Sequence, residues 1–210
     1  MGYLILEIIN LFPIPVFKYK IVPTEEQCTE LMAVLNNVFS TATEQVWASE
    51  TGKSTGQYDL FLHDNPSMQW LVNSALHHAC DAWLKLDYAH GATLSCFTSW
   101  ANLHKPGQVT GEHSHCTGST KSHISCVYYL KKPVNSGHIE FRDPLEYIHS
   151  LTPSDMFNPE ANLKSHTAVE ADEFDLVVFP SWLNHRSQVN KSQDDRIAIS
   201  INFIGHWILK

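Results

Sequence analysis

At 210 residues, with 43% hydrophobic and 17% charged side chains, the chain carries enough apolar material for one sizeable core and lacks the compositional mark of disorder. A formal charge of -8, with no basic run longer than Lys131-Lys132, excludes charge-driven binding to nucleic acid or to an anionic membrane surface. Five cysteines, at 28, 80, 96, 116 and 126, form no C-x-x-C pair, which argues against a disulfide scaffold or zinc knuckle and fits reduced thiols in a cytoplasm.

The apolar opening from Tyr3 to Val16 has no basic leader or small-residue cleavage site, and Glu7, Pro13 and Pro15 interrupt it. It predicts an early strand pair rather than a signal or a membrane span. Phe17, Tyr19 and Ile21 alternate with Lys18 and Lys20, the period of a half-exposed strand. Thr24 with Gln27 three residues on makes a capping box, and Cys28, Leu31, Met32, Leu35, Val38 and Phe39 then fall on one helical face. After an expected loop over Thr51–Gly56, Asn65-Pro66 predicts a second helix start, with Met68, Leu71, Val72, Ala75, Ala79 and Trp83 as its buried stripe.

From Gly91 the pattern turns to β. Alternating or apolar segments fall at 92–104, 109–115, 123–130, 138–142, 166–170, 174–179, 185–190 and 196–205, split by turn signals such as Lys105-Pro106-Gly107 and Asn135-Ser136-Gly137. These predict a mainly β fold: a double-stranded β-helix, or cupin-like jelly roll, flanked by two packed helices. We read 1–210 as a single domain, with 1–90 as a strand and helix support region and 91–210 as the jelly-roll core. The stretch 143–165 has no clear period and reads as a lid or an insertion.

His113 and His115 share a face on an extended segment, and His185 on a neighbouring strand could complete a three-imidazole clamp that leaves coordination positions open. Arg196 lies eleven residues beyond His185, on one face with Ala198, Ser200 and Asn202. A guanidinium facing a barrel interior needs an anion, which is either a protein carboxylate such as Asp194 or Asp195, or a carboxylate-bearing co-substrate.

The segments "NLFPIPVFKYKI", "HSHCTGSTKSHISCVYYLKKPVNSGHIEFRDP", "VVFPSWLNHRSQVN" and "RIAISINF" resemble the 2-oxoglutarate/Fe(II) oxygenase family that combines an H-x-H, an SGVYYL-like strand, a G-x-[IL]-x-F-x-D-P turn and an FPSWL-x-H segment. The prolyl hydroxylase branch is a more distant resemblance. The resemblance implies Fe(II), 2-oxoglutarate and O2 as cofactors, decarboxylation of 2-oxoglutarate to succinate, and coupled oxidation of a second substrate, as in a hydroxylase. It implies His113 and His185 as ligands with His115 where the family has a carboxylate, and Arg196 and Tyr129 on the distal carboxylate of 2-oxoglutarate. Ser125, which shares a strand face with Tyr129, and Asn102 are further candidates for that pocket. Glu112 and Asp143 are the carboxylates that could replace His115, the first only at a bulge.

A cupin-type dioxygenase or isomerase is the runner-up. Gly107 sits six residues before His113, and Pro180-x-Trp182-x-x-His185 keeps the second cupin spacing, but Ser119 and Thr120 stand where a cupin wants Glu. A non-catalytic jelly-roll binding module is the third reading. The substrate expectation is a small molecule or a peptidyl residue, with no nucleic-acid or membrane partner; pairing of edge strands between two copies leaves a homodimer open.

Overall fold

The computed structural model of the protein describes residues 13–47, 50–58, 62–116, 121–147, 151 and 165–207. In chain order the elements are β1 (Phe17–Lys20), α1 (Glu25–Thr41), β2 (Gln45–Trp47), β3 (Glu50–Ser54), α2 (Gln69–Lys85), β4 (Ala92–His104), β5 (Ile124–Lys131), β6 (Ile139–Arg142), β7 (His166–Val169), β8 (Asp175–Pro180), β9 (His185–Ser187) and β10 (Arg196–Trp207). The expected strand pair before residue 13 and most of the 143–165 stretch lie outside the described residues.

The sequence provides a side-chain cap at the start of α1 and at the turn that leads into α2. Thr24 Oγ1 accepts from the Gln27 backbone at 3.2 Å while Gln27 Oε1 accepts from the Thr24 backbone at 2.9 Å, so two otherwise orphaned N–H groups of α1 are satisfied. Asn65 caps a 3-10 turn over Pro66–Met68, and the α-helix proper begins at Gln69. Leu31, Leu35 and Phe39 of α1, with Leu71, Val72, Ala75, Ala79, Ala82 and Trp83 of α2, form the buried stripes.

Those stripes cover one face of a seven-stranded sheet of order β1-β8-β5-β10-β4-β3-β2; a three-stranded sheet of order β7-β6-β9 faces its other side. Strand alternation divides the two cores. On β5, Ile124, Cys126, Tyr128 and Leu130 pack toward the helices, whereas Val127 and Tyr129 pack toward the small sheet. On β10, Ile197, Ile199, Ile201 and Phe203 join the helix-side core, leaving Arg196, Ala198, Ser200 and Asn202 for the interior. This is the predicted jelly roll, with an apolar cushion behind its large sheet and a polar chamber between the sheets.

Two expectations are corrected. Residues 109–115 are not a strand: only two isolated bridges, Thr51 to Val109 and His113 to His185, tie the segment down. The expected 51–56 loop is instead mostly β3, which pairs with β4 through Lys53↔Leu103 and Ser54↔Asn102. Its composition, Glu-Thr-Gly-Lys-Ser, has little intrinsic strand preference, and pairing with a long neighbour overrides it. Gly52, at φ +138°, makes this possible, because a Cβ there would sit 2.8 Å from the Leu103 carbonyl oxygen.

Candidate active site

His113 and His185 are backbone partners: the N–H of each donates to the carbonyl of the other, at 3.0 and 2.9 Å. His115 is tied separately, its N–H donating to Ser181 O at 2.9 Å. Alternation along the extended segment therefore brings all three rings together without a regular ladder. The Nδ1 atoms of His113 and His185 lie 2.9 Å from the Gly111 and Leu183 carbonyl oxygens, so each Nδ1 carries the proton and each Nε2 presents a lone pair. His115 Nδ1 lies 2.8 Å from Asn202 Oδ1 and from Ser125 Oγ. Asn202 Nδ2 donates to Thr98 Oγ1 at 3.0 Å, which points its oxygen at the imidazole and gives His115 the same tautomer.

The consequence is a cluster of three Nε2 lone pairs, the ligand atoms all within 4.8 Å of one another and those of His113 and His115 only 3.0 Å apart. Two bare lone pairs at that distance repel unless a cation lies between them, so the donor set fits a metal ion. Burial, then the neighbouring His113, pushes His115 down to about 4, with the Asn202 hydrogen bond opposing. Burial, then His113 and His115, holds His185 well below its ordinary value. Both rings are therefore neutral near neutral pH, the form in which an imidazole can bind a metal.

Among the described residues no carboxylate joins the three imidazoles. Glu112 is held elsewhere, by Arg142 Nη1 at 2.8 Å and His166 Nε2 at 2.5 Å. Asp143 Oδ1 accepts from the Leu145 backbone at 2.8 Å, capping its turn. The Cys116 thiol donates to Ser122 O at 2.9 Å.

A cavity of about 430 Å³ opens from His113 and His185 and runs to Arg196, with Tyr129, Asn102 and His104 on its walls. Arg196 is 1% exposed, yet among the described residues no carboxylate pairs with it. Its Nη1 donates to the carbonyl oxygens of Ser136 and of Gln188, the latter at 3.0 Å, and Nη2 donates to Ser187 Oγ at 2.9 Å. Among the described residues, Nε–H and one Nη2–H of the five guanidinium donors have no acceptor, which leaves donors for a carboxylate. Tyr129 stays a phenol: burial pushes it up to about 12, against the opposing charge of Arg196.

Residues 98–202, half of the chain, match the family described as "Putative 2OG-Fe(II) oxygenase". The chain belongs to this family. It is an oxygenase that depends on 2-oxoglutarate and Fe(II). Solved structures repeat its fold at low identity. The non-heme alpha ketoglutarate dependent carbocyclase SnoK from nogalamycin biosynthesis superimposes with TM-score 0.61 at 16% identity, over 92% of this chain and 82% of SnoK. A Pseudomonas putida prolyl-4-hydroxylase gives TM-score 0.57 at 14% identity, over 90% of this chain and 92% of that one. HygX from Streptomyces hygroscopicus, with nickel and 2-oxoglutarate bound, gives 0.56 at 9%, over 90% and 82%. No curated protein matches the sequence.

Membership of the oxygenase family decides against the cupin and non-catalytic readings. Ser119 and Thr120, which bore on the former, lie outside the described residues. Of the residues expected in the oxygenase's co-substrate pocket, Arg196, Tyr129 and Asn102 line the cavity and Ser125 does not. Ser125 shares a face of β5 with Tyr129, but four residues at about 3.3 Å each put it ~13 Å along the strand, at the imidazole end. There it bonds His115 Nδ1 and Ser181 Oγ.

Sequence reasoning passed over Asn202, which orients His115, and His104, which stands opposite Arg196 in the register of β4 and β10. Period two gave a signal for both: Asn202 is in phase with Arg196, and His104 with Asn102. No helix among the described residues is long and apolar enough to cross a membrane.

Proposed function

We propose that His113, His115 and His185 hold the Fe(II), that Arg196 grips the distal carboxylate of 2-oxoglutarate with Tyr129 and Asn102 beside it, and that the enzyme hydroxylates a small molecule or a peptidyl residue. The whole chain would act as one domain, residues 1–90 backing the jelly roll. Bound iron supplies open coordination positions and redox chemistry, and the overall reaction turns 2-oxoglutarate, O2 and a C–H bond into succinate, CO2 and an alcohol. The residues of the chain bind and orient. The Nδ1 bonds to Gly111 O, Leu183 O and Asn202 Oδ1 fix three lone pairs in advance, and the carbonyls of Ser136 and Gln188 fix the plane of Arg196. The apolar walls contributed by Val127, Ile139 and Ala198 limit water between these two ends.

The observation that carries this reading is a buried guanidinium with donors to spare and no acid beside it among the described residues, facing the same chamber as three converging imidazoles. The hydroxylase outcome takes support from the prolyl-4-hydroxylase likeness in fold. To test it, the protein is loaded anaerobically with Fe(II) and titrated with 2-oxoglutarate. A weak visible charge-transfer band should grow in, and Arg196→Leu should abolish it while still taking up iron. A band that survives in Arg196→Leu would place the diacid elsewhere.

A further inference from the structure

The charged side chains that line the chamber do not cancel. Glu112 and Arg186 are occupied at its rim, the first by Arg142 Nη1 at 2.8 Å and His166 Nε2 at 2.5 Å, the second by Glu140 Oε2 at 2.8 Å. Arg196 and Lys53 remain, and among the described residues neither is ion-paired. Lys53 Nζ donates to Phe39 O at 2.7 Å, and Glu44, the acid that feels its charge, is bonded to Lys105 at 2.6 Å. In a chain whose formal charge is -8, this cavity is therefore positive. A cleft lined by one sign of charge between apolar walls concentrates its field on whatever enters.

The co-substrate does not use up that charge. Imidazoles bind a metal in their uncharged form, so Fe(II) held by His113, His115 and His185 would keep both of its positive charges, where a carboxylate in place of His115 would cancel one. Two from the metal and one from Arg196, set against two on 2-oxoglutarate, leave one, with Lys53 beside it. The walls at the imidazole end add neutral donors. Trp100 is half-buried on the inward face of β4, lines the cavity, and meets His115 edge to face, with ring centroids 5.3 Å apart and an interplanar angle of 67°. Ser200 is its partner in the register of β10, 6% exposed and on the same cavity. Among the described residues nothing accepts from the indole N–H or from the Ser200 hydroxyl.

We propose that the substrate oxidised is a small organic acid, its apolar C–H part resting on Trp100 and its carboxylate meeting the remaining positive charge, with Trp100 Nε1 and Ser200 Oγ as donors. This rests on the assignment of the three imidazoles to the metal and of Arg196 to 2-oxoglutarate. An indole face alone would draw a cation, but the pull of a ring quadrupole is weaker than the repulsion of whole charges in the same enclosed space, so an amine or a lysine side chain is disfavoured. The cavity of about 430 Å³ is at the low end for small-ligand sites and must hold the co-substrate as well, which restricts the acid to about the size of a single ring.

The test uses Mn(II)-loaded protein saturated with 2-oxoglutarate near neutral pH, and three planar probes of one shape: benzoate, neutral benzamide and cationic benzamidinium. Broadening of their ring-proton resonances by the bound Mn(II), relative to Zn(II)-loaded protein, reads which of them reaches the metal end. Benzoate should bind about tenfold more tightly than benzamide, and benzamidinium should show no excess broadening. His115→Asp, which cancels one charge, should bring benzoate down to the level of benzamide. Trp100→Ala should weaken benzoate about tenfold without a matching loss of 2-oxoglutarate, and Trp100→Phe, which keeps a ring but no N–H, should recover part of it. Equal broadening of the three probes, a preference for benzamidinium, a benzoate signal that further 2-oxoglutarate titrates away, or a preference unmoved by both His115→Asp and Trp100→Ala would overturn the proposal and leave the metal assignment standing. Wild-type protein that takes up no Mn(II), or a His113→Ala variant that takes it up as well as wild type, would instead bring down the assignment beneath it.

Discussion

Along β10 successive side chains belong to two different chemistries. Ile197, Ile199, Ile201 and Phe203 face α1 and α2 and are almost wholly out of water, while Arg196, Ala198, Ser200 and Asn202 face the small sheet. Both rows are buried, but the first is closed by its neighbours and the second lines a chamber. Around Ile199 every contact is with protein. Among the described residues, two donors of Arg196 have no acceptor and one nitrogen of His104 has no partner. Apolar burial stabilises the fold through the first row, which lets the second row carry a buried cation that on its own disfavours folding.

That contrast can be broken most strongly by cutting the helix-side row. Phe203→Ala should cost about 3–5 kcal/mol in denaturant unfolding, whereas Ser200→Ala, on the other row, should stay within ~1 kcal/mol. Equal costs would mean that both faces bear the load.

The interior row should instead reveal itself through acid. His104 and His115 take up protons only near 3 and 4 in the folded chain but near 6.5 when unfolded, so the unfolded state binds more protons throughout the interval between. The unfolding free energy of metal-free protein should therefore be at its full value above pH ~6.5 and fall as the pH drops toward ~3. His104→Gln should flatten that slope.

A smaller effect is expected at the orienting shell of the imidazoles. Asn202→Ala removes the acceptor that fixes the His115 tautomer and should weaken metal binding about ten- to a hundredfold in a competition titration with a chelator. Smallest of all, Thr24→Ala at the far side of the cushion should cost about 1 kcal/mol of stability through the lost cap and leave metal binding untouched.

Much of this arrangement is legible in the chain itself. The capping box at Thr24 and the alternation of β5 and β10 are local patterns, and each takes the form its period predicts, while the H-x-H brings its rings together with His185 although its segment is not the expected strand. What escapes is what depends on neighbours. β3 reads as a loop because its residues have no strand preference, and only its pairing with β4 makes it one. Ser125 reads as a pocket residue because alternation tells the face and not the distance along it. His104 looks like one of thirteen histidines until the register sets it against Arg196.

In the proposed centre, the reciprocal backbone bonds between His113 and His185 would set the spacing of the two chain segments that carry those rings. Those two segments cannot separate without rupturing both bonds, while His115 hangs from a different support at Ser181. Were those residues to hold ions of unequal radius, His115 would be the ring best placed to adjust, and because Asn202 and Ser125 hold it, a swap of metal would be felt along β10 and β5.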